Sequence, residues 1–474
     1  MIKLLAASAL SWQPPSLSAN GPRRAAPICS ATFDHEHWML YALRLAEQAR
    51  LATPPNPWVG CVIVAEGGTE VLAEGYHVRK GDKHAEATAL ADARSRGVSR
   101  EAMAAATCYV TLEPCHRGPG KSTPPCDEAM VASGLRDVHV AVIDPDPAFG
   151  GAGIGHLRSH GVRVTVGTAS QAVAASLRPY LHQRRTRLPY VVLKVAAAAD
   201  GAIACADGTS QWITGSPARA HAQLLRAESQ AILVGSGTAL ADKPRLTLRL
   251  DDDALPSRYV HTPHTQPLRV LLDARGRVDS GPLLDASLAP TLVFTTRRSR
   301  GSAARAAWEA AAGLEVCEVP SCEGEDEGGG GSEGNDRDGS ARAGDGAAAD
   351  DVAADDAAAD DAAGDRGGVD LRAVLHELGA RGVIQLMVEG GGGVHGAFMM
   401  QRLAQQLRLY VGATALGSTA TRWVRAPLAP TIAVAPRWRL LTMERVGEDA
   451  CLDYDLSEGE TTSGVGGEAN KSVD

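Results

Sequence analysis

Apolar and polar positions fall into two stretches of alternating strand and helix pattern, separated by a short polar run. From His35, HWMLYALRLAEQAR repeats apolar residues at helical spacing, and VGCVIVA and EVLAEGYH form a strand pair around the Gly67–Gly68 turn. HAEATALADARS and CDEAMVASG are predicted helices; ATCYVTLEPC and DVHVAVID are predicted strands. The polar run Leu181–Leu188 (LHQRRTRL) is expected to link two domains. Beyond it the pattern restarts, with strands at PYVVLKVAA, AILVGSG, LRVLLDA, TLVFTT, GVIQLMVEGGGG and LRLYVGATAL and a helix at ARAHAQLLRAES. Strands alternating with helices in both halves predict an α/β fold, with domains at residues 34–180 and 188–456.

Composition changes this picture in three places. Residues 321–368 collapse to Gly, Ala, Asp and Glu, with the near-repeat ADDVAADDAAADDAAGD. Almost nothing there can be buried, so the stretch reads as a solvated insertion in the second domain; a Ca²⁺ loop is the other reading, but no EF-hand spacing is present. Of the 56 acidic and 47 basic residues, 15 and 3 lie between Glu323 and Arg366, so the net charge of −9 becomes a slight positive excess elsewhere. Residues 457–474 are a polar tail. Residues 1–33 contain no acid but carry Lys3, Arg23 and Arg24 among Ser and Ala, the composition of a transit peptide. Its Ser- and Pro-rich, Arg-poor character points to the chloroplast before the mitochondrion, while Leu4–Leu10 could also serve as the core of a secretory signal. No apolar run approaches the roughly 18 residues of a membrane-spanning helix. The nine irregularly spaced cysteines do not form a disulfide framework, and no basic, aromatic-lined stretch suggests nucleic acid.

Two motifs carry chemistry. In the first half, His84-Ala85-Glu86 opens a helix, and Cys115 and Cys126 follow, each after a proline. One imidazole and two thiolates leave a fourth position open for water, the arrangement of a hydrolytic zinc, and Glu86 would shuttle protons. Cys126, at a helix start, is expected to be favoured as a thiolate. His-x-Glu with Pro-Cys…Cys is the zinc-deaminase signature; a structural zinc or plain core residues are the blander reading. Cys61, Cys108, Cys205, Cys317 and Cys451 lack partners at ligand spacing and read as small core residues. In the second half, a strand runs into Glu389 and the glycines from Gly390, whose backbone could approach a phosphate at a helix start. Gly391–Gly396 formally fits GxGxxG but lacks the acidic residue about 20 positions on, so a flexible turn is an equal reading. Trp212 offers a stacking face or a core side chain, Ser210 a hydroxyl, and Arg226 and Arg249 guanidinium groups for a phosphate or for solvent.

Taken together, PNPWVGCVIV, GYHVRKGDKHAEATAL, YVTLEPC, TPPC, LKVAAAADG, SQWIT, LLRAES, TALADKPRLTLR and VEGGGGVHGAF resemble the bifunctional deaminase–reductase family of riboflavin biosynthesis, including its plastid members. The resemblance implies a cytidine-deaminase-like zinc domain and a dihydrofolate-reductase-like domain, with Zn²⁺ and NADPH as cofactors. It implies Zn²⁺ on His84, Cys115 and Cys126, Glu86 as proton donor, and Asn56 and His77 as substrate contacts. In the second domain it assigns NADPH to Ala196, Trp212, Thr238, Asp242, Gly391, Gly392, Gly393, Val394, His395, Gly396 and Ala397. The ribosyl phosphate substrate falls to Ser210, Arg226, Leu246, Arg249 and Glu389, with Lys194 beside them. The expected reactions are deamination of 2,5-diamino-6-(5-phosphoribosylamino)pyrimidin-4(3H)-one, then reduction of its ribosyl chain; a deaminase with a structural second domain is the alternative. Neither nucleic acid nor membrane is an expected partner, and a homodimer is left open. Departures from the family are a Cys115–Cys126 loop two residues longer, Lys121 for Arg, Lys243 for Asp or Asn, Ala198 for Ser, and Gln405-Gln406 for an acidic pair.

Overall fold

The computed structural model describes residues 34–117, 125–147, 150–250, 256–261, 265–322 and 368–457. The expected transit peptide, nearly all of the acidic insertion, Lys121 and the tail beyond Ser457 lie outside them.

The first sheet is built from β1 (Gly60–Val64), β2 (Val71–Tyr76), β3 (Thr107–Leu112), β4 (Asp137–Val142) and β5 (Arg163–Val166), in the order β2-β1-β3-β4-β5. β1 pairs antiparallel with β2 and β3, and the β3–β4–β5 side is parallel. Every residue of β1 and β3 is buried, as expected of central strands covered on both faces. The turn before β2 needs Gly67 and Gly68, which hold φ of 79° and 68°. Helices α1 (His35–Glu47), α2 (Ala85–Ser95), α3 (Arg100–Ala105), α4 (Cys126–Ser133), α5 (Ala152–Ser159), α6 (Ser170–Ser176) and α7 (Arg178–Thr186) complete this half.

The predicted link at Leu181–Leu188 is mostly not a loop. α7 occupies it to Thr186, started by Pro179 in its first turn and anchored by buried Tyr180, Leu181 and Gln183. Its charged residues hid a helix whose apolar face is narrow.

Among the described residues the second sheet has nine strands: β6 (Tyr190–Ala198), β8 (Ala231–Gly235), β9 (Leu268–Leu272), β10 (Thr291–Thr295), β11 (Leu314–Glu318), β12 (Gln385–Val388), β13 (Gln406–Gly412), β15 (Arg439–Val446) and β16 (Asp449–Asp455). They run β11-β10-β9-β8-β12-β6-β13-β16-β15, and β7 (Ala202–Ala204) pairs separately with β14 (Thr421–Arg422). From β11 to β13 all pairs are parallel; β16 and β15 add an antiparallel edge. Helices α8 (Ser216–Glu228), α9 (Ser236–Asp242), α10 (Ala303–Ala310), α11 (Leu371–Ala380) and α12 (Gly392–Met400) flank it. One core joins Leu193, Phe294, Leu375 and Phe398; a second joins Val192, Ile232 and Trp308.

Several strands missing from the pattern reading are weak signals. β15 is largely exposed, and β11 shows no fully buried residue. Of the five cysteines read as core, Cys61, Cys108 and Cys451 are buried, whereas Cys205 and Cys317 are only half-buried.

Candidate active sites

His84 caps α2, its carbonyl accepting from the Thr88 N–H at 2.9 Å and the Thr88 hydroxyl at 3.0 Å, so its backbone is fixed at the mouth of the helix. Cys115 follows β3, and Cys126 is the first residue of α4. His84 Nδ1 lies 3.5 Å from each sulfur. A tetrahedral zinc bonded at about 2.0–2.1 Å to nitrogen and about 2.3 Å to sulfur sets N···S near 3.5 Å, so the three side chains fit the ion.

The Cys126 N–H, at the start of α4, reaches the Cys115 sulfur at 3.5 Å, so the positive end of the helix serves Cys115. Hydrogen bonding from Cys126 pulls Cys115 down to about 4, while the same contact and burial push Cys126 up. Zinc would take both as thiolates.

Glu86, two residues past His84, is buried in the first turn of α2. Burial, then the Cys115 sulfur, raises its carboxyl to about 7. Asn56 and His77 line the same cleft of about 290 Å³. His77 Nδ1 donates to the Lys83 carbonyl at 3.0 Å, which leaves Nε2 to accept from the Asn56 amide at 3.0 Å. Burial lowers the His77 pKa, consistent with that neutral ring.

Three features of this pocket lie outside the residues singled out from sequence. Tyr180 and Arg184 of α7 form part of its wall, the guanidinium 5.1 Å over the phenol ring. Glu113, buried just before Pro114-Cys115, accepts from the backbone N–H groups of Asp144, Gly151, Gly153 and Ile154 at 3.2, 2.9, 3.0 and 3.3 Å. It thereby ties the zinc-ligand strand to the start of α5; its place inside LEPC was the available signal.

The second domain holds a cleft of about 500 Å³ at the carboxyl ends of β6, β8 and β12. It collects Lys194, Ala196, Ser210, Trp212, Arg226, Thr238, Asp242, Leu246, Arg249, Glu389 and Gly391 to His395. Gly396 and Ala397 do not line it; they are buried one turn further into α12. A Cβ at Gly392 would stand 2.5 Å from the Arg422 carbonyl, so this position admits no side chain. Trp212 is 68% exposed and packs under Arg219, the guanidinium 4.2 Å from the ring centroid. The core alternative for Trp212 is thereby excluded. Ser210 donates to Asp242 at 3.2 Å.

Arg226, expected as a phosphate ligand, lines the cleft and is paired there with a carboxylate. Its Nε and Nη2 grip Glu389 at 2.6 and 2.9 Å, and Nη1 donates to the Thr247 carbonyl at 3.0 Å. The guanidinium fork is engaged by a buried carboxylate. Lys194 Nζ stands 4.0 Å from Glu389 Oε2, the oxygen that Arg226 Nη2 also reaches. Burial of Glu389 is outweighed by Arg226 and Lys194, which hold its carboxyl at about 2. Burial, partly offset by Glu389, lowers Lys194. Arg249 is an exposed arm at the rim. Arg219, Arg245 and Arg425 also line the cleft and were not singled out from sequence.

The departures from the family find places. Lys243 ends α9 at φ 42° and ψ 53°, a left-handed conformation that Asn and Asp adopt more readily. Gln405 accepts from the Val191 N–H at 2.8 Å, and Gln406 accepts from the Tyr190 hydroxyl at 3.2 Å while donating to Asp453 at 2.9 Å.

A hydrolytic-zinc donor set in one half and a cofactor-sized cleft in the other define a zinc deaminase fused to a nicotinamide-dependent reductase. The comparisons agree. Residues 33–142 match the cytidine and deoxycytidylate deaminase zinc-binding region, and residues 189–318 and 343–452 match the RibD C-terminal domain. Riboflavin biosynthesis protein RibD of Chlamydia trachomatis is 34% identical over 90% of this chain and 97% of its own. The Escherichia coli protein of that name is 33% identical over 88% and 98%. The solved RibD of Acinetobacter baumannii superposes with a TM-score of 0.66 at 28% identity, over 89% of this chain and 98% of that one. The chain belongs to the RibD family of riboflavin biosynthesis proteins. It combines a cytidine-deaminase-like zinc domain with a RibD C-terminal reductase domain and takes Zn²⁺ and NADPH.

Proposed function

We propose that both clefts work in sequence on one phosphorylated pyrimidine. The first removes the 2-amino group of 2,5-diamino-6-(5-phosphoribosylamino)pyrimidin-4(3H)-one, and the second reduces the ribosyl chain to give 5-amino-6-(5-phosphoribitylamino)uracil. A solved relative from Thermotoga maritima, 26% identical with a TM-score of 0.66, is a diaminohydroxyphosphoribosylaminopyrimidine deaminase/5-amino-6-(5-phosphoribosylamino)uracil reductase. The observation that carries the reading is that one chain holds both the His84–Cys115–Cys126 donor set with buried Glu86 and the Lys194–Glu389–Arg226 cluster.

Bound zinc supplies the Lewis acidity that makes water nucleophilic near neutral pH, and NADPH supplies the hydride. Glu86, buried beside the donor set, takes the proton from water and returns it to the departing amine. Asn56 and the neutral His77 orient the pyrimidine beside it. In the second cleft, Arg226 holds Glu389 ionised, and Glu389 with Lys194 positions the ribosyl chain for reduction. Trp212 offers a flat face to the cofactor, and the start of α12 at Gly391–Gly393 receives its phosphates. Ser210, Leu246 and Arg249 line the substrate end. The intact second cleft counts against a deaminase with a structural remnant.

A coupled assay tests this reading. The purified chain, given the diaminopyrimidine phosphate and NADPH, is expected to release ammonia and oxidise NADPH in equal amounts; ammonia without oxidation would refute the second step. We place the enzyme in the plastid stroma, on the acid-free, Ser- and Ala-rich first 33 residues. Fusion of those residues to a fluorescent protein is expected to send it to plastids, and cytosolic or mitochondrial fluorescence would refute that.

A further inference from the structure

His116 and Asp127 directly follow the candidate zinc ligands Cys115 and Cys126 in the chain, and both converge on a third side chain, His156 of α5. His116 Nδ1 lies 2.6 Å and His156 Nδ1 3.1 Å from the same carboxylate oxygen, Oδ2 of Asp127. The Asp127 side chain has 0% of its surface exposed, whereas the two imidazoles keep 32% and 21%. The other carboxylate oxygen accepts from the Glu128 N–H at 2.8 Å, which fixes the direction of the group. His156 Nδ1 is shielded from solvent and makes no hydrogen bond, despite standing 3.1 Å from an acceptor.

We infer that these three residues form a second metal site, for a divalent transition ion of the zinc class, separate from the candidate catalytic ion. Two imidazole nitrogens and one carboxylate oxygen are a donor set that suits such ions. Ligands bonded at about 2.0–2.1 Å stand about 2.9–3.3 Å apart; the two imidazole nitrogens lie 2.6 and 3.1 Å from Asp127 Oδ2, and all three donor atoms fall within 4.8 Å of one another. A cation answers the oddity of the cluster: it gives a partner to the shielded His156 Nδ1, which makes no hydrogen bond, beside a carboxylate taken fully out of water. The ligands come from the segment after β3, from α4 and from α5, so the ion would cross-link three elements. The frame is also held from outside, because Arg117 makes a two-pronged pair with Glu128 at 3.1 and 3.0 Å. The ion would brace the chain at residues adjoining both candidate thiolate ligands.

Cobalt titration of the full chain, stripped of metal, tests this site and keeps it distinct from the other. Wild type is expected to take two equivalents of Co²⁺, one giving thiolate-to-cobalt charge-transfer absorption and one giving only weak visible bands. His156→Ala is expected to retain the charge-transfer equivalent and lose the other. Asp127→Asn, which preserves the shape of the buried side chain, is expected to do the same. A wild-type chain that binds only the charge-transfer equivalent overturns the inference, as does a second equivalent that survives both substitutions.

Discussion

Glu86 and Glu389 are both buried carboxylates, yet their surroundings drive them in opposite directions. Glu86 is raised to about 7 by burial and a neighbouring sulfur, and Glu389 is held at about 2 because two cations outweigh burial. Glu86→Gln is expected to keep zinc and NADPH oxidation but to cut ammonia release by roughly 10²–10⁴-fold, measured with product formed by an intact deaminase supplied to the reductase. For Glu389 the folded pKa lies below the ordinary value of 4.5, so its ionised form stabilises the fold fully above about pH 4.5. That contribution, about 3 kcal/mol, fades as the pH falls towards 2. Urea unfolding between pH 5 and 2.5 is expected to show a steeper loss for wild type than for Glu389→Gln. Arg226→Ala leaves the carboxylate with Lys194 as its near cation and is expected to cost about 3 kcal/mol at pH 7, read from the same unfolding curves. The zinc-type donors were legible because His84 and Glu86 share one helical turn and each cysteine follows a proline. The grip of Arg226 on Glu389 was not, because the partners are 163 positions apart and nothing local couples them.

Among the elements, patterns confined to covered strands read well: β1, β3, β6, β8, β9 and β10 fall where apolar runs placed them. α7 did not, since its polar face supplies most of its residues while Tyr180 and Arg184 turn to the deaminase cleft. A deaminase fragment ended at residue 180 would therefore lose part of the wall of its own pocket. The segment around Trp212 shows a different limit: its motif was visible, but only the structure sets the ring in solvent under Arg219. Because the ring is so exposed, Trp212→Ala is expected to leave the unfolding midpoint nearly unchanged. It should raise the KM for NADPH about tenfold while sparing ammonia release, and an unchanged KM would remove Trp212 from the cofactor site.

At the scale of the whole molecule, two joints organise the chain. At the first, Ser321 bridges Val369 and the Cys322 N–H donates to the Gly368 carbonyl at 3.0 Å, so both flanks of the acidic stretch are clasped together. Replacing residues 323–367 by a short Gly–Ser linker is expected to leave both activities within about twofold and not to lower the unfolding midpoint, since closing a shorter loop costs less entropy. At the second joint, the N–H groups of Val260 and His261 donate to the Gln48 carbonyl at 2.9 and 3.1 Å, and the Tyr76 hydroxyl meets His261 at 3.1 Å. Beside it, Arg50 of the deaminase half reaches Glu228, which also accepts from the Tyr259 hydroxyl at 2.6 Å. Glu228 ends α8 two residues after Arg226, so one helix is tied to the seam at its tip and to the reductase cleft a half-turn earlier. In a genetic screen for loss of riboflavin synthesis, alleles at Arg50 should accordingly score as reductase defects, although the codon lies in the deaminase half.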